Sequence, residues 1–327
     1  MLNFEAKLNP KIFDANVEKL PTRDGYGKGL VEAGEKDPRV VVLCADLTES
    51  TRSLGFKEKF PDRFIEMGVA EQNMATVAAG LANYGKIPFI SSYAAFSPGR
   101  NNEQIRTTIC INNVPVKIGG AHAGISVGPD GATHQALEDI ALMRVLPRMT
   151  VLVPCDAIEA QKATVAAALL SGPVYIRFGR EKSPTMTTAE TPFEIGKAQI
   201  FRQGKDATII ASGMLLHNAL LATEELAKEN LDIRVINNPS VKPLDKETIL
   251  SAAKETGAIV TVEEHQIYGG VGSAIAEFLA SEFPVPMEFI GVKDLFGESG
   301  EPKELIEKFG LGKDSIKEAV KKVINRK

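Results

Sequence analysis

The sequence lacks the features that mark several specialised classes of protein. Its only three cysteines, Cys44, Cys110 and Cys155, are far apart, form no Cys-x-x-Cys pair and each stand among apolar residues. We therefore expect buried free thiols in a reducing cytoplasm. No apolar run approaches the length of a membrane span. The first residues lack the basic and apolar regions of a secretory signal, so we expect a cytoplasmic protein.

A strong charge of one sign is also missing. The formal net charge is −4 at pH 7, with 44% hydrophobic and 24% charged residues. This balance is ordinary for a globular protein and argues against a general binder of nucleic acid or of membrane surfaces. A chain of 327 residues is long enough for two domains, each with its own core.

Short apolar runs alternate with amphipathic stretches along the first part of the chain. The predicted strands are Val40–Cys44, Phe64–Glu66, Ile87–Tyr93, Val114–Gly120, Thr150–Pro154 and Val174–Phe178. The predicted helices are Gly27–Glu35, Glu71–Tyr84, Asn101–Ile111, Gln135–Arg144 and Ala157–Leu170. This alternation predicts an α/β fold in which helices cover both faces of a doubly wound, mostly parallel sheet.

A polar segment with two prolines and several threonines then interrupts the alternation. Beyond it we predict a second, smaller α/β domain, with strands at Ala207–Ala211, Ile233–Asn237, Ile259–Glu263 and Met287–Ile290. Its predicted helices are Leu215–Lys228, Lys246–Glu255, Gly272–Ser281, Lys303–Phe309 and Asp314–Ile324. The expected organisation is an N-terminal extension at 1–20, a first domain at 21–180, a linker at 181–194 and a second domain at 195–327.

The most informative segment is the loop that runs from His122 to His134. It contains two of the four histidines, with Asp130 between them, and follows a predicted buried strand. Open α/β sheets bind ligands in loops that leave the ends of their strands. Two imidazoles and a carboxylate there favour proton transfer or recognition of a hydroxyl-rich substrate. Two alternatives remain open, a surface loop without function and a metal site of two histidines and one carboxylate.

A second candidate is Glu71, which the pattern places in the first turn of a long alanine-rich helix. Acidic residues are favoured at helix N-termini in any case, so this position alone does not indicate catalysis. A helix that is so apolar lies in a core or a tight interface. A glutamate buried at its end needs a partner or a proton, because desolvation disfavours the charged carboxylate.

Three further segments contain groups that suit an anion. Arg23 to Gly29 has a superficial likeness to a phosphate-binding loop, but without the Walker spacing or a preceding strand it does not predict a nucleotide site. The turn from Asp46 to Ser50 follows the first strand and offers either phosphate donors or only a helix cap by Thr48 or Ser50. Arg180 follows the sixth predicted strand, where it has either a ligand or a surface ion pair.

Four motifs taken together resemble the transketolase family. These are Gly68-Val-Ala-Glu-Gln-Asn-Met, Ser91-Ser-Tyr-Ala-Ala-Phe-Ser-Pro-Gly-Arg, His122…Gly-Pro-Asp-Gly-Ala-Thr-His-Gln and Val262-Glu-Glu-His-Gln-Ile-Tyr-Gly-Gly-Val-Gly. The resemblance runs from about Pro21 to near the C-terminus. The Gly-Asp-Gly…Asn motif, with which the family's N-terminal domain binds Mg²⁺ and the cofactor's diphosphate, does not occur. The chain therefore resembles the C-terminal subunit of a split transketolase, with a pyrimidine-binding domain followed by a transketolase C-terminal domain.

The resemblance implies thiamine diphosphate as cofactor and assigns residues to it. Glu71 resembles the glutamate that hydrogen-bonds the aminopyrimidine ring and promotes deprotonation at thiazolium C2. Phe96 resembles the aromatic residue that packs on the pyrimidine face, for which core packing is the alternative and Tyr93 a weaker candidate. Asp46 matches an aspartate close to the cofactor. Mg²⁺ is expected to be held mainly by the partner subunit.

The resemblance also assigns the substrate. Four residues resemble the donors that hold a sugar phosphate: Arg23, Ser50, His122 and Arg180. Asp130 resembles the aspartate that discriminates hydroxyl configuration, and His134 the histidine near the reacting carbonyl and the C1 hydroxyl. His265 and the glycines after it match a signature that we expect to be structural.

The implied function is transfer of a two-carbon ketol unit between sugar phosphates, a reaction of the pentose phosphate pathway. An N-terminal subunit with the Mg²⁺-diphosphate motif is the implied partner, in a hetero-oligomer of two copies of each chain. Two alternatives belong to neighbouring enzymes, a 2-oxoacid dehydrogenase beta subunit and half of a deoxyxylulose-phosphate synthase. A pyruvate-like substrate would leave the sugar-phosphate residues Arg23, Ser50, Asp130 and Arg180 without a purpose. A third alternative is a non-catalytic regulatory subunit, and the intact residues Glu71, Phe96, His122, Asp130 and His134 speak against it.

Overall fold

The computed structural model describes residues 2–327, which form two large sheets and a short two-stranded ribbon. The first half contains β1 (Lys19–Pro21), α1 (Thr22–Lys36), β2 (Val40–Cys44), α2 (Leu54–Lys59), β3 (Phe64–Glu66), α3 (Glu71–Asn83), β4 (Ile87–Tyr93), α4 (Asn102–Gln104), β5 (Lys117–Ala121), α5 (Asp139–Arg144), β6 (Thr150–Leu152), α6 (Ala157–Ala168), β7 (Val174–Arg177) and β8 (Lys182–Pro184). The second half contains β9 (Gln199–Arg202), β10 (Ala207–Ala211), α7 (Leu216–Lys228), β11 (Ile233–Asn237), β12 (Ser240–Lys242), α8 (Lys246–Thr256), β13 (Ile259–Gln266), α9 (Val271–Glu282), β14 (Met287–Val292), α10 (Pro302–Lys308) and α11 (Lys313–Ile324).

The first sheet has seven strands in the order β12-β6-β7-β5-β4-β2-β3. Every neighbouring pair is parallel except β12 with β6. All residues of β2, β5 and β7 are buried, as expected for central strands covered by helices on both faces. The predicted doubly wound, mostly parallel sheet is therefore confirmed.

The second sheet has five strands in the order β14-β13-β10-β11-β9. Its four predicted strands are present, and the antiparallel edge strand β9 was not predicted because four residues between polar segments have little periodicity. One short strand of this half, β12, leaves its own sheet and pairs with β6 of the first. A single apolar cluster consequently includes residues of both sheets, among them Val151 and Ile236.

Several predicted element boundaries were wrong for local reasons. The strand predicted from Val114 begins at Lys117, because the chain makes a tight turn at Pro115, where Val116 N–H donates to the Val114 carbonyl at 2.8 Å. The helix predicted from Gln135 begins only at Asp139. The helix predicted at Asn101–Ile111 is a three-residue α segment that continues as a π-helix, Ile105–Cys110.

The helix predicted from Gly27 begins earlier, at Thr22, so the whole glycine-rich segment after Arg23 belongs to α1. A strand, β1, also precedes it, contrary to the prediction. A Cβ atom on Gly25 would lie 1.8 Å from the Ala157 carbonyl oxygen, so the absence of a side chain lets α1 contact α6. The glycines of this segment therefore serve helix packing.

The polar segment between the two sheets is ordered against the first half of the chain. Its strand β8 pairs with β1, and Met186 and Thr187 are buried. The backbone N–H groups of both residues donate to the Asp156 carboxylate, at 2.8 and 2.6 Å. The three cysteines are buried and free, as predicted. Between residues 2 and 327, none of the helices has the length and apolar character needed to span a membrane.

Candidate functional site

Five parallel strands bring the predicted site residues to one edge of the first sheet. In the order β3-β2-β4-β5-β7, their carboxyl ends lie side by side. Tyr93 is the last residue of β4, His122 follows β5 directly, and Arg180 lies three residues beyond the end of β7. The location agrees with the rule that open α/β sheets bind ligands beyond the carboxyl ends of their strands.

Aromatic rings and imidazoles stack at this edge. The Tyr93 and His122 rings are nearly parallel, with centroids 3.9 Å apart. The Tyr93 and Phe96 rings are also stacked, with centroids 6.0 Å apart. His134 meets Phe96 edge to face at 5.3 Å. The structure thus brings both histidines of the loop onto the aromatic pair that the motifs indicated.

Arg23 reaches the same cluster from α1. Its Nη1 donates to the Ser50 carbonyl at 3.2 Å and lies 3.4 Å from His122 Nε2. The sequence led us to expect the Ser50 hydroxyl in the cluster, whereas it is the Ser50 backbone carbonyl that contacts Arg23. Arg23 Nε and His122 Nδ1 are buried and have no hydrogen-bond partner among the described residues. Two donor or acceptor positions thus remain for a polar ligand.

Asp130 and Arg180 form the more exposed part of the cluster. Their closest charged atoms are 3.9 Å apart, and each side chain is just over one third exposed. Arg180 Nη1 also donates to the Val127 carbonyl at 3.0 Å, which fixes the guanidinium to the His122–His134 loop. A pair at this distance and exposure contributes little to stability and leaves both groups available to a ligand.

The His122 imidazole is neutral in this environment. Burial, and then the nearby positive charges of Arg23 and Arg180, lower the pKa of His122 to about 3. The residue also has a left-handed backbone conformation, with φ of 54°, which is uncommon outside glycine. The neutral ring can accept or donate a hydrogen bond, but it adds no charge to an anion site.

Glu71 is the first residue of α3 and is only 1% exposed. Its Oε1 accepts a hydrogen bond from the Ser92 hydroxyl at 3.2 Å, and its Oε2 from Arg100 Nη1 at 3.0 Å. Arg100 Cζ also lies 4.6 Å from the centre of the Phe96 ring. The expected partner of the buried carboxylate is therefore Arg100, which ends one of the four family motifs but was not singled out from the sequence.

Asp46 lies at the same sheet edge but outside this cluster. It is exposed, and its backbone N–H donates to Glu66 Oε1 at 2.8 Å. Glu66 also accepts from the Thr48 hydroxyl and from the Gly68 N–H, so it ties this turn to the chain just before Glu71. The alternative of a helix cap by Thr48 or Ser50 was wrong, because α2 begins at Leu54 and has no side-chain cap.

Two other expectations from the sequence concern a metal site and the Val262–Gly272 motif. Within residues 2–327 the geometry offers no group of three or more histidine, cysteine, aspartate or glutamate side chains suited to a metal ion. Glu263 of the motif accepts hydrogen bonds from Val271 and Gly272 N–H at 2.7 and 2.9 Å, and thereby caps α9. His265 of the same motif is fully buried, and its structural role stays a prediction.

Both halves of the chain match models of known domains. Residues 18–185 match the pyrimidine-binding domain of transketolase, and residues 196–316 match the transketolase C-terminal domain. A subunit of a 6-deoxy-6-sulfo-D-fructose transketolase, SqwH of Clostridium sp. (strain MSTE9), is 41% identical over 96% of this chain and 98% of its own length. A putative transketolase C-terminal section of Methanocaldococcus jannaschii is 43% identical over 90% of this chain and 93% of its own length.

A solved structure of the same size gives the same result. It is described as a split-gene transketolase in the form of an inactive beta4 tetramer, and it is 47% identical to this chain with a TM-score of 0.88. The alignment covers 94% of this chain and 99% of the other. These relatives do not favour a 2-oxoacid dehydrogenase, a deoxyxylulose-phosphate synthase or a non-catalytic subunit. The chain belongs to the transketolase family, as the C-terminal subunit of a split transketolase.

Proposed function

We propose that this subunit, joined to an N-terminal partner, transfers a two-carbon ketol unit from a ketose phosphate to an aldose phosphate. One observation carries the proposal: contacts run without interruption from the buried Glu71 to the cationic Arg23. They pass through Arg100, which contacts Glu71 and Phe96, then through the stacked Phe96, Tyr93 and His122 rings. Glu71 at one end suits proton exchange with a cofactor ring, and the aromatic rings in the middle suit packing against that ring. Arg23 at the other end suits the anionic group of a sugar phosphate.

The residues at the first end fit thiamine diphosphate, on which the transketolase family depends. When bound, the cofactor supplies the carbanion chemistry of ketol transfer. Glu71 offers a buried carboxylate that can exchange a proton with a ring nitrogen, and Ser92 and Arg100 hold its two oxygens. Phe96 and Tyr93 offer aromatic faces for the pyrimidine. We assign Asp46 to the cofactor as well, on the family resemblance.

The residues at the other end fit a substrate with a terminal anion. Arg23 and Arg180 supply positive charge, while the unpartnered atoms Arg23 Nε and His122 Nδ1 supply buried hydrogen-bonding positions. We assign Ser50 to the same anion site. Asp130 can accept hydrogen bonds from substrate hydroxyls. His134 lies against Phe96, and we assign it to the reacting carbonyl on the family resemblance. The His134 imidazole can hold or move a proton at that position.

The identity of the anion is open to a second candidate. The SqwH relative is named for 6-deoxy-6-sulfo-D-fructose, whose terminal group is a sulfonate. A sulfonate and a phosphate both present three acceptor oxygens, but the phosphate carries more charge. Arg23 and Arg180, which lie beside a neutral His122, favour the phosphate, because a charge-assisted hydrogen bond to a guanidinium is stronger when the acceptor carries more negative charge. Comparison of kcat/KM for a 6-phospho and a 6-sulfo ketose donor decides between the two substrates.

The partner should contribute the Mg²⁺ and most of the diphosphate site. The sequence has no Gly-Asp-Gly motif, and relatives of the same length are named a subunit, a C-terminal section and a split-gene product. We propose a hetero-oligomer with two copies of each chain, located in the cytoplasm and active in the pentose phosphate pathway. The name of the solved relative, an inactive beta4 tetramer, supports the expectation that this chain alone does not turn over substrate.

The test is reconstitution. The chain should be mixed with a chain of similar size that carries Gly-Asp-Gly…Asn, together with thiamine diphosphate and Mg²⁺, and ketol transfer should be followed by product formation. We expect activity from the mixture, none from either chain alone, and a 2:2 mass by light scattering. Turnover by the lone chain would refute the need for a partner. An inactive but fully assembled mixture would refute the proposed reaction, and a 1:1 active complex the stoichiometry.

A further inference from the structure

The C-terminal half of the chain holds the loop that carries His122, Asp130 and His134. We propose that Glu264, near the end of β13, is a positioning residue for this loop, and that orienting the loop is the role of the C-terminal domain in the reaction. The proposal rests on the proposed function, because the loop residues belong to the substrate site only if that function is correct. The contacts themselves are independent of it.

Glu264 reaches from the second sheet into the loop. Its Oε1 accepts a hydrogen bond of 2.6 Å from the Ser126 backbone N–H, and the residue is only 4% exposed. The carboxylate also fills the space beside Gly124, where a Cβ atom would lie 2.4 Å from Glu264 Oε1. Gly124 has a φ of 97°, a conformation that favours glycine. The loop backbone is therefore shaped to admit this one side chain.

A second contact holds the far end of the loop. Gln135 follows His134 directly, and the two N–H groups of its Nε2 are shared among the carbonyl oxygens of Ile125, Gly128 and Glu298, at 3.1, 3.1 and 2.9 Å. Two of these acceptors lie within the loop and the third lies in the C-terminal half. Gln135 thus ties the two ends of the loop to each other and to the segment before α10.

A buried ion pair between Arg177 and Asp139 holds the backbone of Glu264. Arg177 donates to the Glu264 carbonyl at 2.7 Å and to the Asp139 carboxylate at 2.8 Å. Both side chains of the ion pair are at most 6% exposed. Arg177 ends β7 and Asp139 begins α5, so this ion pair belongs to the first domain. Through Arg177 it fixes the backbone of Glu264. Because Arg177 fixes the Glu264 backbone, the Glu264 carboxylate can hold the Ser126 N–H in a defined position.

Geometry of this kind matters because misplacement of a reacting group by about 1 Å can cost roughly 10²-fold in rate. Loss of the Glu264 contact should let His122 and Asp130 move together with the loop backbone at Ser126. The neighbouring Glu263 is the matched control. It is also a buried carboxylate on β13 that accepts backbone N–H groups, but its partners belong to α9.

Hydrogen–deuterium exchange of the full-length chain tests the contact without any activity. Glu264→Leu keeps the size of the side chain but cannot accept the Ser126 N–H, so exchange in 123–127 should accelerate about 10- to 100-fold. Glu264→Gln retains a carbonyl oxygen and should restore protection. Glu263→Gln should accelerate exchange only at the start of α9. Equal exchange in 123–127 for Glu264→Leu and Glu263→Gln would overturn the proposal.

Kinetics of the reconstituted complex test the consequence. Glu264→Leu should lower kcat/KM roughly 10- to 100-fold, whereas Glu264→Gln and Glu263→Gln should stay within about twofold of the wild type. If Glu264→Leu does not fold, Gln135→Leu replaces it and should give the same pattern. A wild-type complex without ketol transfer counts against the proposed function alone, since the exchange experiment still decides the contact. A full loss in the Glu263→Gln complex would show a general structural effect and overturn the positioning role.

Discussion

The Arg100 guanidinium pairs with the buried Glu71 carboxylate at 3.0 Å and at the same time covers one face of the Phe96 ring. Arg100 is about half exposed, whereas Glu71 is almost completely buried. One half-exposed side chain thus contacts two of the residues that we assign to the cofactor ring. A ring that stacks on this face of Phe96 has to displace Arg100, and Glu71 then gains a hydrogen bond from the ring while it loses one from the guanidinium.

Glu71→Gln should slow activation of the bound cofactor and leave the fold intact. The amide can still accept a hydrogen bond from Ser92, but it cannot give or take a proton. We expect the rate of C2 deuterium exchange in bound thiamine diphosphate to fall by roughly 10²-fold or more, as for other positioned acid–base groups. Glu103→Gln removes an exposed carboxylate nearby and should exchange at the wild-type rate. An unchanged rate in Glu71→Gln would remove this residue from proton exchange.

The strands that lie in the middle of a sheet were predictable from the sequence. β2, β4, β10 and β11 were predicted to the residue, because continuous burial on both faces leaves an unbroken apolar run. The edge strand β3 was also predicted to the residue, although it has only three residues. The four short strands β1, β8, β9 and β12 were not predicted. Each has only three or four residues, and each is stabilised by a pairing partner that is distant in the sequence.

Among the residues of the candidate site, too, those marked by a local sequence pattern could be predicted, and those that depend on distant partners could not. The position of His122, Tyr93 and Arg180 at one sheet edge could be predicted, because each follows or ends an apolar run and the topology of parallel strands brings such positions together. Arg100 and Glu264 could not be singled out, because the groups that they contact lie across a turn or in the other domain. No local pattern distinguishes Glu264, which holds Ser126, from Glu263, which caps α9.

His122 should make the folded chain less stable in acid. Its pKa is lowered to about 3 in the folded protein, against an ordinary value of 6.5. Between these values the unfolded state binds more protons than the folded state, so the free energy of unfolding falls as pH falls through this window. His122→Asn removes the titrating group and should flatten this decline.

Urea denaturation of the lone chain at several values between about pH 7 and pH 5 measures the difference. The substitution also removes the stacking contact with Tyr93, which lowers stability at every pH without changing the slope. Parallel stability profiles for the wild type and His122→Asn would contradict the lowered pKa.

Gly25→Ala should destabilise the first domain. The added Cβ atom would lie 1.8 Å from the Ala157 carbonyl oxygen, so α1 and α6 must move apart. Overpacking of this kind costs about 1–3 kcal/mol. Gly55→Ala in α2 is the control, because its Cβ atom would meet only Val31, at an ordinary 3.6 Å, and helix propensity favours alanine there by up to about 1 kcal/mol. Chemical denaturation that ranks Gly25→Ala as the more stable variant would refute the packing role.

Arg180→Ala should weaken the binding of phosphorylated acceptors specifically. A charge-assisted hydrogen bond contributes on the order of 1.5–3 kcal/mol, and 1.4 kcal/mol is about a factor of ten, so KM should rise roughly 10- to 100-fold. An unphosphorylated acceptor such as glycolaldehyde has no phosphate to lose and should be nearly unaffected. Asp130→Ala should instead impair acceptors according to their hydroxyl configuration.

Arg52→Ala controls for the loss of positive charge. Arg52 also lies close enough to lower the pKa of His122, but its Nε is paired with Asp24 at 2.6 Å. If charge alone mattered, both arginine variants would raise KM for the phosphorylated acceptor to a similar extent. A direct contact requires a large increase for Arg180→Ala only. Equal losses on both acceptors in Arg180→Ala would mean that its hydrogen bond to the Val127 carbonyl, and hence the shape of the loop, is what the arginine provides.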